Sequence, residues 1–314
     1  KSVGFGEAVK ILAAEAGMQP YRFSNFDKKK DLRFQKYKQI FTDYTDFASK
    51  KLFQANNQEP LNYLLKRGLK KSIIEEFKIG FVPWKNNFYE DLLKKYTEEE
   101  ISLTGLYYKS DKTEKFIDRF NSRIIFPINN ISGETIAFGG RIIRDSKLAK
   151  YINSPETEFY KKGRHIFNLD KAKSVPNQNQ EVIIVEGYMD VITLYQNNFK
   201  SSVAPLGTAL TSYQLDRAWK ACQNPIIMFD GDEAGQKAAQ RVALLALNNL
   251  LPDYSIRFCL LPKDYDPDDY LNKNKPSSLQ GVIDNSLSLS EFIWNMELEK
   301  EDISIPEKKA GFEK

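Results

Sequence analysis

Six carboxylates stand where apolar runs break off. The run Val182–Val185 ends in Glu186, with Asp190 four residues later. The run 225–229, PIIMF, ends in Asp230-Gly231-Asp232. The run 255–261, SIRFCLL, is followed by PKDYDPDDY, which carries Asp266 and Asp268. Like charges brought to one site repel by about 1 to 4 kcal/mol per pair at 4 Å, depending on the effective dielectric. Such a cluster therefore calls for protons or divalent cations. Carboxylate oxygens without Cys or His suit Mg²⁺ or Mn²⁺. The single histidine, His165, lies outside the group, which argues against zinc. Each carboxylate also has a simpler use on its own. Asp232 would cap a helix, Asp190 would complement a helix dipole, and Asp266 before Pro267 would make a turn.

The elements that would bring these groups together alternate in type. Strand 182–185 precedes a helix over 188–197. SSVAPL precedes a helix over 212–222, capped by Thr211 or Ser212. PIIMF precedes a helix over 233–250, and SIRFCLL is the last strand. This rhythm predicts an α/β fold with a parallel sheet covered on both faces and ligands at the carboxyl ends of its strands. Glu186 and Asp190 then share one side of the helix start, and Gly187 lets backbone or substrate come close. Asp268 is expected on a loop. Neutralising it should relieve repulsion and raise the stability of the metal-free protein.

Upstream the pattern is mixed. A helix over 4–17 ends on Gly17, and RFSNFDKKKD reads as a linker. The next helix runs from Leu32 to about Phe53. Its aromatics Phe34, Tyr37, Phe41 and Tyr44, three or four apart, read as core. PLNYLLKRGLKKSIIEEFKIGFVP predicts two helices around Gly68, and RIIFPI and TIAFGGRII predict a hairpin across NNISGE. Gly139-Gly140 fits a bulge or a close backbone approach.

With 314 residues, 41% hydrophobic and 28% charged, the chain has room for two or three domains. No apolar run is long enough to span a bilayer, and no signal peptide opens the chain. Cys222 and Cys259 lack metal-site spacing and read as core thiols, which suits a reducing, cytoplasmic setting. Charge is split along the chain. Residues 1–180 carry 33 Lys+Arg against 22 Asp+Glu, a net +11, and residues 181–314 carry 13 against 20, a net −7. A basic half that holds a polyanion beside an acidic half that holds cations is the sharper reading, with a solvated surface as the plainer one.

The motifs VEGYMDVI, LGTALT, FDGDEAG and DPDDYL, in that order, resemble the Toprim domain of bacterial DNA primases of the DnaG type. Upstream, YLLKRGL, FKIGFVP, RIIFPI, IAFGGRII and KYINSPET...YKKGR resemble that family's basic N-terminal subdomain. The resemblance covers roughly residues 32–275. It implies a Toprim-type parallel sheet flanked by helices, preceded by a basic α+β subdomain and followed by the start of a helical segment. The divisions would fall at 1–31 (tail of an upstream zinc module and linker), 32–180, 181–275 (Toprim) and 276–314. It implies synthesis of short RNA primers on single-stranded DNA in replication, by metal-assisted nucleotidyl transfer. Glu186, Asp190, Asp230, Asp232, Asp266 and Asp268 would hold two or more Mg²⁺ or Mn²⁺ ions, and the first four would be catalytic. Glu186 is open to a role as ligand or as general base. Arg67, Arg123, Arg141, Lys150, Asn153 and Lys162 would line the groove for template, RNA–DNA hybrid and ribonucleoside triphosphates, although Arg123 and Arg141 also fit a solvated face. No zinc ligands are present, so zinc is expected only in an upstream module. A replicative helicase would dock through a further C-terminal domain, and the fragment is expected to act as a monomer away from membranes. Two alternatives use the same carboxylates or fold: a Toprim nuclease or topoisomerase, and a non-catalytic nucleic-acid-binding Toprim module.

Overall fold

The computed structural model describes residues 5–17, 25–111, 113–144, 148–175, 181–207 and 209–298. Part of the expected linker, Thr208 of LGTALT, and the chain after 298 lie outside these residues.

A 28-residue helix, Asn25–Leu52, forms the spine of the basic half. It starts within the stretch expected as linker, where Asn25 to Asp31 continue the helical pattern without Gly or Pro. Tyr37, Ile40, Phe41, Tyr44, Ala48 and Leu52 are all buried, at the spacing of one helix face. The aromatic stripe is thus core, with Phe34 packed at its margin against Phe159. This half contributes β1 (Gly80–Val82), a small hairpin of β2 (Tyr107–Lys109) and β3 (Phe116–Asp118), then β4 (Arg123–Asn129), β5 (Thr135–Ile142), β6 (Tyr151–Asn153) and β7 (Ile166–Phe167). β1, β4, β5 and β6 form an antiparallel sheet in that order. The spine helix lies on β1 so closely that a Cβ at Gly80 would stand 2.6 Å from Ala48 Cβ.

The acidic half contributes β8 (Ile183–Ile184), β9 (Ser202–Pro205), β10 (Ile226–Ile227), β11 (Arg257–Phe258) and β12 (Leu287–Ser288). The sheet order is β12-β11-β10-β8-β9-β7. The four central strands are parallel, and both edge strands are antiparallel to their neighbours. Side chains alternate between two cores: Ile183, Val185, Ile226 and Met228 face one, and Val182, Ile184, Ile227 and Phe229 face the other. Both faces are therefore covered, as continuous apolar strands require.

Two strand pairings of this sheet cross the expected divisions of the chain. β7 precedes residue 180 yet pairs with β9. The segment after 276 is helical, over Pro276–Asp284 and Leu289–Leu298. It is nevertheless tied to the sheet, because β12 pairs with β11 and Phe292 stacks on Phe258 at 4.0 Å. Among the described residues no helix is long and apolar enough to cross a membrane.

Candidate active site

Glu186 follows β8 directly. The next helix, Tyr188–Gln196, begins with its backbone clamped by Asp190, whose Oδ2 accepts from Gly187 N at 3.0 Å. A Cβ at Gly187 would lie 2.8 Å from that oxygen, which explains the glycine. Tyr188 anchors this turn to the basic half. Its ring stacks on Phe126 at 5.4 Å, meets Phe167 edge-on at 4.9 Å, and its hydroxyl donates to Asn153 Oδ1 at 2.5 Å. The ring also fills the space over Gly139, where a Cβ would stand 2.4 Å from Tyr188 Cζ. Gly139-Gly140 is therefore a site of close approach; the β4–β5 ladder runs unbroken through both residues.

Beyond β10, Asp230 N donates to Glu186 Oε1 at 3.3 Å, which joins two strand ends. Asp232 caps the helix Glu233–Asn249 through Gly235 N at 2.8 Å. A Cβ at Gly231 would lie 2.2 Å from Pro262 O, and one at Gly235 would lie 2.1 Å from Asp230 O. Gly231 thus lets this loop close on the chain after β11, and Gly235 lets the helix start pack on the backbone of Asp230. Asp266 caps the helix Pro267–Lys273 through Asp269 N at 2.6 Å. The capping roles of Asp232 and Asp266 are real, and each engages Oδ1 of its carboxylate.

The electrostatics register how close these groups are. Burial, then repulsion from Asp266, Asp230 and Asp268, holds Asp190 well above the usual carboxylate range. Burial, then Glu186, Asp266, Asp232 and Asp269, pushes Asp230 up to about 7. Glu186 is raised by burial, with Asp232 adding and the Asp230 N–H opposing. Asp266 is raised by burial, against the hydrogen bond from Asp269 N. Oδ1 of Asp230 is buried with no hydrogen-bond partner. A buried, unpartnered carboxylate oxygen among raised acids is what a hard divalent cation would satisfy. The residues fit such an ion.

Asp268 departs from expectation. It is not on a loop but in the first turn of Pro267–Lys273, fully buried. Arg67 donates to its Oδ2, while Thr193 Oγ1 (2.7 Å) and Asn272 Nδ2 (3.1 Å) donate to its Oδ1. These donors take three of roughly four acceptor positions of a carboxylate. Asp266, Asp268 and Asp269 do offer oxygens within 4.8 Å of one another. Asp268 is already engaged by Arg67, Thr193 and Asn272, whereas Oδ1 of Asp230 is without a partner. Asp269 was passed over in the sequence although DPDDY displays it. Thr193 and Asn272 carried no signal there.

The basic residues are also less exposed than a hairpin surface would make them. Arg67 ends the helix Gln58–Lys66 and turns toward Asp268. Arg123 is 4% exposed and donates to Lys150 O at 3.3 Å; burial lowers its pKa. Arg141 is 7% exposed, with Tyr63 and Tyr151 rings at 4.8 and 5.0 Å from its guanidinium. The solvated-face reading of both is thereby corrected: β4 and β5 are central strands, so their side chains meet neighbours on each side. Lys150 is exposed. Asn153 joins Tyr188 to Leu206 O (3.2 Å). Lys162 is half-buried in a short turn whose carbonyl accepts from Gln214 Nε2 at 3.1 Å.

Comparison with known proteins identifies the family and the fold. Residues 47–173 match the family model of the DNA primase catalytic core, N-terminal domain, and residues 180–252 match the Toprim domain. A DNA primase of Rickettsia felis is 40% identical over 258 residues, covering 82% of this chain and 43% of that protein. The chain thus spans about half the length of the curated relatives it matches. A DNA primase domain from Pseudomonas aeruginosa superposes with a TM-score of 0.82 at 33% identity, over 88% of this chain and 87% of that one. A DnaG primase catalytic domain bound to single-stranded DNA superposes with a TM-score of 0.79 at 32% identity, over 89% and 88%. The Toprim fold of these relatives carries with it the use of divalent metal. The chain belongs to the DnaG-type DNA primases, and its described residues correspond to their catalytic core.

Proposed function

We propose that this chain polymerises ribonucleotides into short RNA primers on single-stranded DNA. The observation that carries the proposal is the convergence of Glu186, Asp190, Asp230, Asp232 and Asp266, with Asp230 raised to about 7 and one of its oxygens left without a partner. These residues would hold two or more Mg²⁺ or Mn²⁺ ions. Bound there, the ions would make a primer 3′-hydroxyl more acidic and neutralise the triphosphate of the incoming nucleotide. The chain itself supplies the rest. Gly187 and Gly235 let Asp190 and Asp230 fold tightly against their own helix starts, and Gly231 lets the loop after β10 close on the chain after β11. Asp268 acts through Arg67, Thr193 and Asn272 to fix the helix that carries Asp266. Lys150, which is exposed, and Lys162, which is half-buried, would meet phosphates without reading bases. The related catalytic domain bound to single-stranded DNA supports the same partner here. The setting consistent with this role is the cytoplasm.

The test is to incubate the protein with single-stranded DNA, labelled ribonucleoside triphosphates and Mg²⁺ or Mn²⁺. A ladder of short RNA is expected, and Glu186→Gln should abolish it while leaving DNA binding intact. Shortened DNA would instead mark a nuclease, and binding without reaction a non-catalytic module. A Glu186→Gln protein as active as the wild type would remove the carboxylates from the chemistry.

A further inference from the structure

Apart from the carboxylate rim, one small basic cavity stands out. It measures about 190 Å³ and is lined by Arg164 and His165 from the basic half, Tyr213 and Arg217 from the acidic half, and Asn129 and Asn130 from the hairpin turn. Arg164 and Arg217 both lie over the Tyr213 ring, at 5.6 and 5.3 Å, and Arg217 also donates to the Tyr213 hydroxyl at 2.9 Å. Among the described residues neither arginine has a carboxylate within ion-pair distance, whereas the nearby Asp216 is taken by Lys220 (2.8 Å) and Glu156 by Lys161 (3.5 Å). Burial lowers the pKa of His165, against a hydrogen bond with Lys161, and the Arg217 and Arg164 guanidinium groups lower it further.

The cavity is also held rigid. The fully buried Gln214 donates through Nε2 to Lys162 O (3.1 Å) and His165 O (2.7 Å). Thr211 Oγ1 donates to Gly163 O at 2.8 Å. The helix Ser212–Ala221 is thereby bolted to the loop that carries Arg164. Tyr213 remains 40% exposed, so the platform faces solvent. Two unpaired guanidinium groups, pre-arranged on an aromatic ring beside amide groups, form a receptor for oxyanions. Basic groups interleaved with an exposed aromatic ring are the recurring form of a single-strand contact.

We infer that Arg164, Tyr213 and Arg217 form a phosphate subsite for the nucleic-acid strand, separate from the metal-binding carboxylates. This rests on the proposed function, because a polyanionic strand is what the enzyme must hold. A nucleoside triphosphate presents the same phosphate chemistry, so the experiment separates the two sources. Binding of a labelled single-stranded oligothymidylate is measured by anisotropy across a NaCl titration, for wild type and for the Arg164→Ala/Arg217→Ala protein. Loss of two phosphate contacts should lower the slope of log K against log[salt] by about 1.4. Binding of a fluorescent ribonucleoside triphosphate should be unchanged. The Arg164→Lys/Arg217→Lys protein should restore most of the slope and guards against a folding defect in the alanine variant. An unchanged slope in a folded alanine variant would overturn the subsite while the primase reading stood on its RNA ladder. Weakened triphosphate binding with an unchanged strand slope would overturn the strand assignment. A wild type that neither binds the oligonucleotide nor makes RNA would overturn the proposed function, and the subsite with it.

Discussion

Replacing Asp268 by Asn tests whether that carboxylate adds to the repulsion of the site or holds the site together. Asp268 has no solvent exposure, and its partner Arg67 retains 30% side-chain exposure. Removing one member of a buried ion pair costs about 3–5 kcal/mol, because the other charge is left uncompensated. Here Arg67 can still turn part of its guanidinium to water, which lowers the cost to about 2–3 kcal/mol. Asn keeps an acceptor for Thr193 and Asn272 but turns an amide donor toward Arg67, adding about 1 kcal/mol. The expected loss is therefore about 3–4 kcal/mol. With an unfolding entropy of about 2.1 cal/mol/K per residue over the chain, Tm should fall by roughly 5–6 °C. Melting curves in EDTA measure this without interference from metal. A double-mutant cycle with Arg67→Gln should return at least half of the loss, since the two residues couple directly. An Asp268→Asn protein that melts as high as wild type or higher in EDTA would refute the reasoning and return Asp268 to the repelling cluster.

Asp230 should behave in the opposite way. Its folded pKa is raised from 3.8 to about 7. The stability tied to its protonated form is therefore fully present below the unfolded pKa and is lost as pH rises through 7. The shift corresponds to at most ~4 kcal/mol, and solvent screening of this partly exposed carboxyl reduces that to ~2 kcal/mol. In EDTA, Asp230→Asn should melt above wild type at pH 8, match it near pH 4, gain less from added Mg²⁺ and make no primers; equal melting at pH 8 would count against a strained carboxylate. Gly139→Ala drives a methyl into Tyr188, which its ring stacks and its hydrogen bond hold in place. Overpacking should cost about 2–3 kcal/mol and weaken synthesis by shifting the turn that carries Asp190. Wild-type melting and synthesis in this variant would mean that the ring moves aside freely.

Much of the acidic half is legible in the sequence. Apolar runs broken by Glu186 and Asp230, each followed by a helical period, specify strand, turn and helix from neighbours within four residues. The caps at Thr211 and Asp232 are equally local. The glycines of DGDEAG mark close backbone approach, although not what approaches. Where the local pattern is ambiguous the boundary is not legible: the Lys- and Asp-rich stretch up to Asp31 reads as a linker, yet it opens the helix Asn25–Leu52.

What only the tertiary structure decided involves partners far apart in the chain. Asp268 is separated from Arg67 by 201 residues, so no local signal distinguishes a buried paired carboxylate from a loop ligand. Arg123 and Arg141 look like solvated hairpin residues until neighbouring strands and Tyr63 and Tyr151 close over them. β7 and β12 are two-residue edges, too short to carry a period, and they belong to the sheet through pairing alone. The sequence by itself determined which carboxylates end which strands, because backbone geometry dictates that locally. The fold decided which of them remain strained and which are satisfied, because burial and pairing depend on the whole chain.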